Sequence, residues 1–237
     1  MRLLDVIGPV MIGPSSSHTA GAARIGRAAR SLLGEDTARV VVGFHGSFAN
    51  TYQGHGTDRA IIGGLMGFLQ DDPRLCDSLA LARAAGISYT FKEVRLRDAH
   101  PNTVTLDLTG ASGVHVFVRA ASLGGGAILI QEIDGLPVRV SGDAPTLIIV
   151  HRDTPGVIAK ISGALADAGL NIANMQVSRE AQGRGAISVL ELDACASEST
   201  ITALRAQQGA GRSPASFGAA GQSPALNDII RVTWMCG

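Results

Sequence analysis

The chain has 237 residues, 46% of them hydrophobic and 17% charged, with a formal net charge of +0. That length suffices for two small domains that each bury a core, while the absence of any basic run and an aromatic content of 4% point away from nucleic-acid partners and base-stacking platforms. No apolar run approaches the ~20 residues of a membrane span, and Asp5, Gly8 and Pro9 interrupt the N-terminus where a signal peptide needs its apolar region, so the chain reads as a soluble cytoplasmic protein.

Residues 5–12 are apolar and set the following loop against a core. Gly13-Pro14 punctuates the chain as a turn. Ser15, Ser16, Ser17, His18 and Thr19 then place four hydroxyls and one imidazole within five residues. Residues 20–33, rich in Ala and Arg, read as a helix, so the cluster lies on a loop feeding a helix N-terminus. Free backbone N–H groups and the positive dipole end favour an anion such as a carboxylate or phosphate there. Ser17 or Thr19 is the expected N-cap, and His18 is the one group of the cluster that exchanges a proton near neutral pH. The bland alternative is a capped surface turn. A cap needs one hydroxyl rather than four, which favours a functional loop.

Residues 39–44 are β-branched and read as a buried strand. A second junction follows, in which Gly54 and Gly56 flank His55 and permit close backbone approach. Thr57 or Asp58 is the expected cap of a helix over 59–69, whose Ile61, Ile62, Leu65, Met66 and Leu69 fall at helical spacing. Asp58 is near enough in sequence to orient an imidazole. A further helix spans 75–85. From Ser88 the period changes to that of strands, over 89–94, 103–108 and 114–118. Gly124-Gly125-Gly126 either cradles a ligand or makes a tight β-turn. Residues 127–133 and 136–140 read as a hairpin on Asp134-Gly135. The first domain is α/β or α+β and covers 1–142.

After a short linker, residues 146–150 form a strand. Asp153 or Thr154 is expected to cap the next helix, with Pro155 near its first position. That helix, over 157–168, ends at Gly169. Strands at 171–179 and 186–192, a helix at 197–207 and a strand at 229–235 complete the order βαββαβ, the ferredoxin-like plan, over 146–237. Residues 209–223 are almost wholly Gly, Ala, Ser, Pro, Gln and Arg and read as a flexible loop insertion. Cys76, Cys195 and Cys236 are far apart. Their odd number argues against a disulfide framework, and three thiols are too few for an iron–sulfur cluster, which normally takes four.

Residues 5–26 resemble the start of the β chain of the iron–sulfur-dependent L-serine dehydratases. Gly46-Ser47-Phe48-Ala49 with Gly54-His55-Gly56-Thr57-Asp58 resembles that family's second signature, and His100-Pro101-Asn102-Thr103 and the triple glycine fit its later part. The Asp153-Thr154-Pro155-Gly156-Val157-Ile158 stretch resembles the signature of an ACT domain. The resemblance implies an α+β chain: an α/β serine-dehydratase β-chain domain, similar to allosteric-substrate-binding domains of some phosphoglycerate dehydrogenases, followed by a ferredoxin-like ACT domain. It implies conversion of L-serine to pyruvate and ammonia by a hetero-oligomer whose [4Fe–4S] cluster is ligated by a separate α chain and helps the substrate hydroxyl leave. The catalytic candidates are then His18, Ser15, Ser16, Ser17 and Thr19. The candidates for binding effector or substrate are His55, Thr57, Asp58, Asp153, Thr154 and Gly156, with no metal ligand on this chain and self-association through the ACT domain.

Two competing readings stand beside this one. A purely regulatory, serine-sensing module would use the serine loop to bind effector without chemistry. A pyridoxal-phosphate enzyme needs a Schiff-base lysine, and the only lysines are Lys92, in a strand-like run, and Lys160, in the second domain's helix. That reading is rejected.

Overall fold

The structure, a computed structural model, describes residues 10–206 and 229–235. The chain divides into two compact units, Met1–Gly135 and Leu136–Gly237. In the first, a π-helical turn at Ser16–Ala20 runs without a break into α1, Gly21–Leu33. Small and aliphatic side chains make one face of α1: Ala22, Ala23, Ile25, Ala29, Leu32 and Leu33 are buried. Strand β1, Thr37–Phe44, leads to a short helix α2, Ser47–Thr51, and then to α3, Thr57–Leu65. A 3₁₀ turn at Pro73–Asp77 precedes α4, Ser78–Ala84. Strands β2 (Ser88–Glu93), β3 (Thr103–Gly110), β4 (His115–Gly124) and β5 (Ala127–Ile133) follow.

These strands lie in the order β2-β1-β3-β4-β5. β1 pairs in parallel with β2, and the remaining pairs are antiparallel. Alternation puts Val40, Val42, Phe44, Leu106, Leu108, Val116, Val118 and Ile130 on one buried face, against which α1 packs. Each such aliphatic or aromatic side chain stabilises the fold by about 1.5–3 kcal/mol when fully buried. Phe44 also stacks on Tyr52, with centroids 4.8 Å apart, and on Phe91 at 5.8 Å. This aromatic group fixes the chain after α2 to the end of β1.

Helices α1 and α3 cross where each presents a glycine. A Cβ on Gly26 would lie 2.4 Å from the Ile61 carbonyl oxygen, and one on Gly64 would lie 2.2 Å from that of Ala23. Backbone meets backbone at this point, the first half of α1 against the second half of α3.

Several boundaries differ from expectation. The helix begun at Thr57 stops at Leu65 rather than 69, because the Phe68 N–H turns back to the Gly63 carbonyl. The helix expected over 75–85 is broken: Asp72 accepts from the Arg74 N–H and opens a 3₁₀ turn first. The triple glycine is the β4–β5 turn, with Gly124 paired to Ala127 and positive φ at all three residues.

In the second unit, β6 (Leu136–Val140) lies beside β8 (Ile172–Arg179): Ser178 Oγ donates to the Pro137 carbonyl at 2.6 Å. The remaining elements are β7 (Thr146–Arg152), α5 (Val157–Asp167), β9 (Gly185–Leu192), α6 (Glu198–Ala206) and β10 (Ile229–Met235). The antiparallel sheet has the order β10-β7-β9-β8, the ferredoxin-like arrangement. Leu147, Ile149, Val157, Ile161, Leu165, Leu190, Ile201 and Leu204 form its core. The expected loop at 209–223 and Cys236 lie outside the described residues. Cys76 is an exposed free thiol, and Cys195 is disulfide-bonded. No helix among the described residues is long and apolar enough to cross a membrane.

Candidate active site

Ser15 to Thr19 fold back on themselves. Ser15 has extended backbone angles and is the N-cap: its Oγ accepts the His18 N–H at 3.1 Å, and its carbonyl accepts the Thr19 N–H at 2.9 Å. The expected caps were Ser17 or Thr19. The π-helical turn starts earlier and uses the first serine, while Ser17 turns to the imidazole. Ser15 Oγ and Ser17 Oγ lie 3.2 and 3.1 Å from His18 Nδ1, and 3.3 Å from each other. Ser16 makes no side-chain hydrogen bond among the described residues, and its carbonyl accepts the Gly21 N–H.

The second loop closes on the first. Thr19 Oγ1 donates to the His55 carbonyl at 3.1 Å. The His18 ring meets His55 edge-on at 4.7 Å and Phe48 at 5.2 Å. Its Nε2 lies 3.1 Å from Ser47 Oγ. His18 is therefore buried, 9% exposed, with hydroxyls at both nitrogens. Burial first, and the neighbouring His55 second, hold its pKa below the ordinary 6.5.

The structure thus brings together Ser15, Ser16, Ser17, His18, Thr19 and His55, with Thr57 and Asp58 just beyond. Asp58 does not orient the His55 imidazole. Its Oδ1 accepts the Arg59 N–H at 2.8 Å, and burial raises its carboxyl pKa, partly offset by that hydrogen bond and the Arg59 charge. Thr57 and Asp58 do not cap α3 through a side chain; Gly56 holds the N-cap position. Three buried polar atoms around this pocket have no hydrogen-bond partner among the described residues: His55 Nδ1, Thr57 Oγ1 and Ser122 Oγ. Ser122 reaches the turn from β4, where a Cβ on Gly21 would overlap its hydroxyl. Beneath them, Arg24 Nη1 donates to the Gly126 carbonyl at 2.8 Å, tying α1 to the triple-glycine turn.

Ser47 and Phe48 fall within the second signature noted in the sequence, which gives them no side-chain role, and nothing in the sequence singles out Ser122. Gly46 before Ser47 was the available signal. It takes φ 58°, and a Cβ there would lie 2.6 Å from the Pro101 carbonyl oxygen. A residue placed that way after a strand end is held by its neighbours rather than by its own helix.

Asp153, Thr154 and Gly156 belong to the second unit. Asp153 Oδ2 accepts from Arg179 Nη1 at 3.0 Å and from the Gly183 N–H at 3.3 Å, and these bonds hold its carboxyl below the usual carboxylate range. Neither Asp153 nor Thr154 caps α5, as had been expected. The helix starts at Val157 behind a left-handed Gly156, which leaves Pro155 outside it. Thr154 Oγ1 is buried with no hydrogen-bond partner among the described residues. His151 is buried next to this loop, with Nε2 2.8 Å from Ser188 Oγ.

Among the described residues, no group of three or more His, Cys, Asp and Glu converges as metal ligands do. Among the described residues the cysteines are Cys76, a free thiol, and Cys195, disulfide-bonded, and these two do not make the four-thiolate set that an iron–sulfur cluster normally takes.

The fold and site together define an α+β domain with a serine–histidine pocket, joined to a ferredoxin-like module. Residues 4–84 match the family model described as serine dehydratase beta chain, and residues 146–207 match the ACT domain. The chain is 46% identical over 191 residues to the probable L-serine dehydratase, beta chain, of Bacillus subtilis, covering 81% of this chain and 86% of that one. It is 37% identical to the L-serine dehydratase, beta chain, of Peptoniphilus asaccharolyticus, covering 84% and 90%. It is 31% identical to a D-3-phosphoglycerate dehydrogenase of Synechocystis, covering 71% of this chain but 30% of that one. The chain belongs to the family of L-serine dehydratase β chains.

Proposed function

We propose that this chain is the β subunit of a cytoplasmic L-serine ammonia-lyase, active with a separate α chain that carries the [4Fe–4S] cluster. Its serine–histidine pocket would then complete the site in which L-serine becomes pyruvate and ammonia. The observation that carries this reading is the His18 imidazole, buried and ringed by hydroxyls. Elimination from serine requires removal of the α-proton, and only a neutral imidazole has the lone pair to take it. Burial and His55 favour that neutral form. The Ser16 and Ser17 N–H groups, at the start of the Ser16–Ala20 turn, have no intrahelical acceptor. With the Ser16 hydroxyl they form a receiver for the substrate carboxylate, while His55 Nδ1, Thr57 Oγ1 and Ser122 Oγ retain unused hydrogen-bonding capacity. Residues 1–142 form the catalytic part of this assignment and 146–237 the ACT domain.

The pH dependence tests the role of His18. Because its pKa is lowered, the imidazole stays neutral as pH falls through the ordinary histidine value. The acid limb of kcat/KM for the αβ complex is expected below pH ~6.5. A limb at or above that value contradicts a base held neutral by burial.

One observation favours a regulatory role beside the catalytic one: similarity extends to a phosphoglycerate dehydrogenase of which this chain spans 30%, so a related unit accompanies a different activity. We read the ACT domain as the part that binds a small amino acid, most simply serine, and as the self-association surface. The buried Thr154 Oγ1, just ahead of α5 and with no hydrogen-bond partner among the described residues, supports this. Asp153→Ala, which removes the Arg179 and Gly183 anchors of the loop, is expected to change the cooperativity of serine turnover with kcat at saturation kept. Unchanged substrate curves and unchanged size by light scattering count against a regulatory loop.

A further inference from the structure

We propose that Ser47 is a positioning residue for His18, accepting a hydrogen bond from Nε2–H so that the basic lone pair lies on Nδ1, on the side of Ser15 and Ser17. This rests on the functional role of His18 proposed above and adds to it the tautomer and the group that sets it. The hydroxyls are unequally placed. Nδ1 faces two, from Ser15 and Ser17, at 3.2 and 3.1 Å. Ser15 Oγ already accepts the His18 backbone N–H, so its own proton is available for donation to Nδ1 or to Ser17 Oγ 3.3 Å away. Two hydroxyls in mutual contact offer two protons, one for each other and one for Nδ1, an arrangement that suits that nitrogen to accept. Nε2 faces one hydroxyl, that of Ser47 at 3.1 Å, and a neutral ring must carry its proton on the nitrogen that is not accepting.

Ser47 is suited to this because its backbone is held independently of its hydroxyl. Its N–H donates to the Pro101 carbonyl at 2.8 Å, and its own carbonyl accepts from Thr51 Oγ1 at 2.7 Å. Gly46 presses against Pro101 and sets the direction of the chain into α2. The hydroxyl makes no other hydrogen bond among the described residues, and it does not cap α2. Phe48, the next residue, closes the ring edge-on. The start of α2 therefore delivers both an acceptor for Nε2–H and an apolar wall against the ring.

The test is the ring ¹⁵N spectrum of His18 in the full chain, with serine turnover of the αβ complex measured alongside. In the unmodified chain, His18 is expected as the Nε2–H tautomer. Ser47→Ala should convert it to a mixture and lower kcat about tenfold, the worth of one neutral hydrogen bond, with little change in KM. Ser47→Thr should restore both. An Nδ1–H tautomer in the unmodified chain, or a His18 signal unmoved in folded Ser47→Ala, overturns the assignment. The unmodified spectrum decides even if the alanine variant fails to fold. Normal tautomer behaviour together with normal turnover in His18→Ala leaves the positioning intact and rejects the catalytic role instead.

Discussion

Replacing His18 by alanine is expected to lower serine turnover in the αβ complex by about two to four orders of magnitude, the usual worth of a positioned acid–base group. Association with the α chain and the absorbance of the cluster should both survive. His18 is held by serine hydroxyls and aromatic edges inside its own unit, and its removal takes away neither a thiolate nor a core side chain. Ser16→Ala is the informative contrast. That hydroxyl makes no hydrogen bond among the described residues, and if it binds the carboxylate equally in ground and transition states, KM rises while kcat holds. His55→Ala should be milder than His18→Ala. It also removes the nearby imidazole that helps hold His18 neutral, so the acid limb of kcat/KM should move upward. Steady-state kinetics at several pH values read all three. Near-normal kcat in an assembled, cluster-loaded His18→Ala complex transfers preference to the regulatory reading.

The second large effect is expected at the crossing of α1 and α3. A side chain at Gly64 has no room, since even its Cβ would lie 2.2 Å from a carbonyl oxygen of α1. Backbone cannot rotate away as a flexible side chain can, so the helices must separate. Overpacking of this kind costs about 3 kcal/mol, and Gly64→Val should lower the melting temperature by roughly 6–12 °C for a chain of this size. Separation also withdraws His55 from His18, because each histidine rides on the loop at its helix's N-terminal end. Activity should therefore fall further than the loss of folded protein explains. Calorimetry with single-temperature kinetics checks this; a melting point within a degree or two of the unmodified chain's contradicts the crossing as the pin of the pocket.

The serine–histidine loop and its helix were legible because hydroxyl clustering and an Ala/Arg stripe are local signals. The ferredoxin-like order was legible for the same reason, from alternation and from the Asp153 to Gly156 turn. Cap identities were not. Ser15, Ser17 and Thr19 are chemically equivalent as caps, and the choice fell to Ser15 because Ser17 and Thr19 are drawn to His18 and to the His55 carbonyl, 36 residues on. Asp153 was likewise taken from its helix by Arg179, 26 residues away. The pairing of Ser47 with His18 depends on Gly46 meeting Pro101, a backbone contact with no periodic trace. Asp58 shows the converse: sequence nearness to His55 suggested a pair, and the adjacent Arg59 N–H claimed the carboxylate.

The most direct test of the central claim is pyruvate release from L-serine, measured anaerobically on this chain alone, on the α chain alone and on the two together. The account predicts pyruvate only from the combined chains, with the iron–sulfur absorbance following the α chain. Serine deamination by this chain alone, or by the α chain at an undiminished rate without it, contradicts the assignment of this chain as the subunit that completes the site.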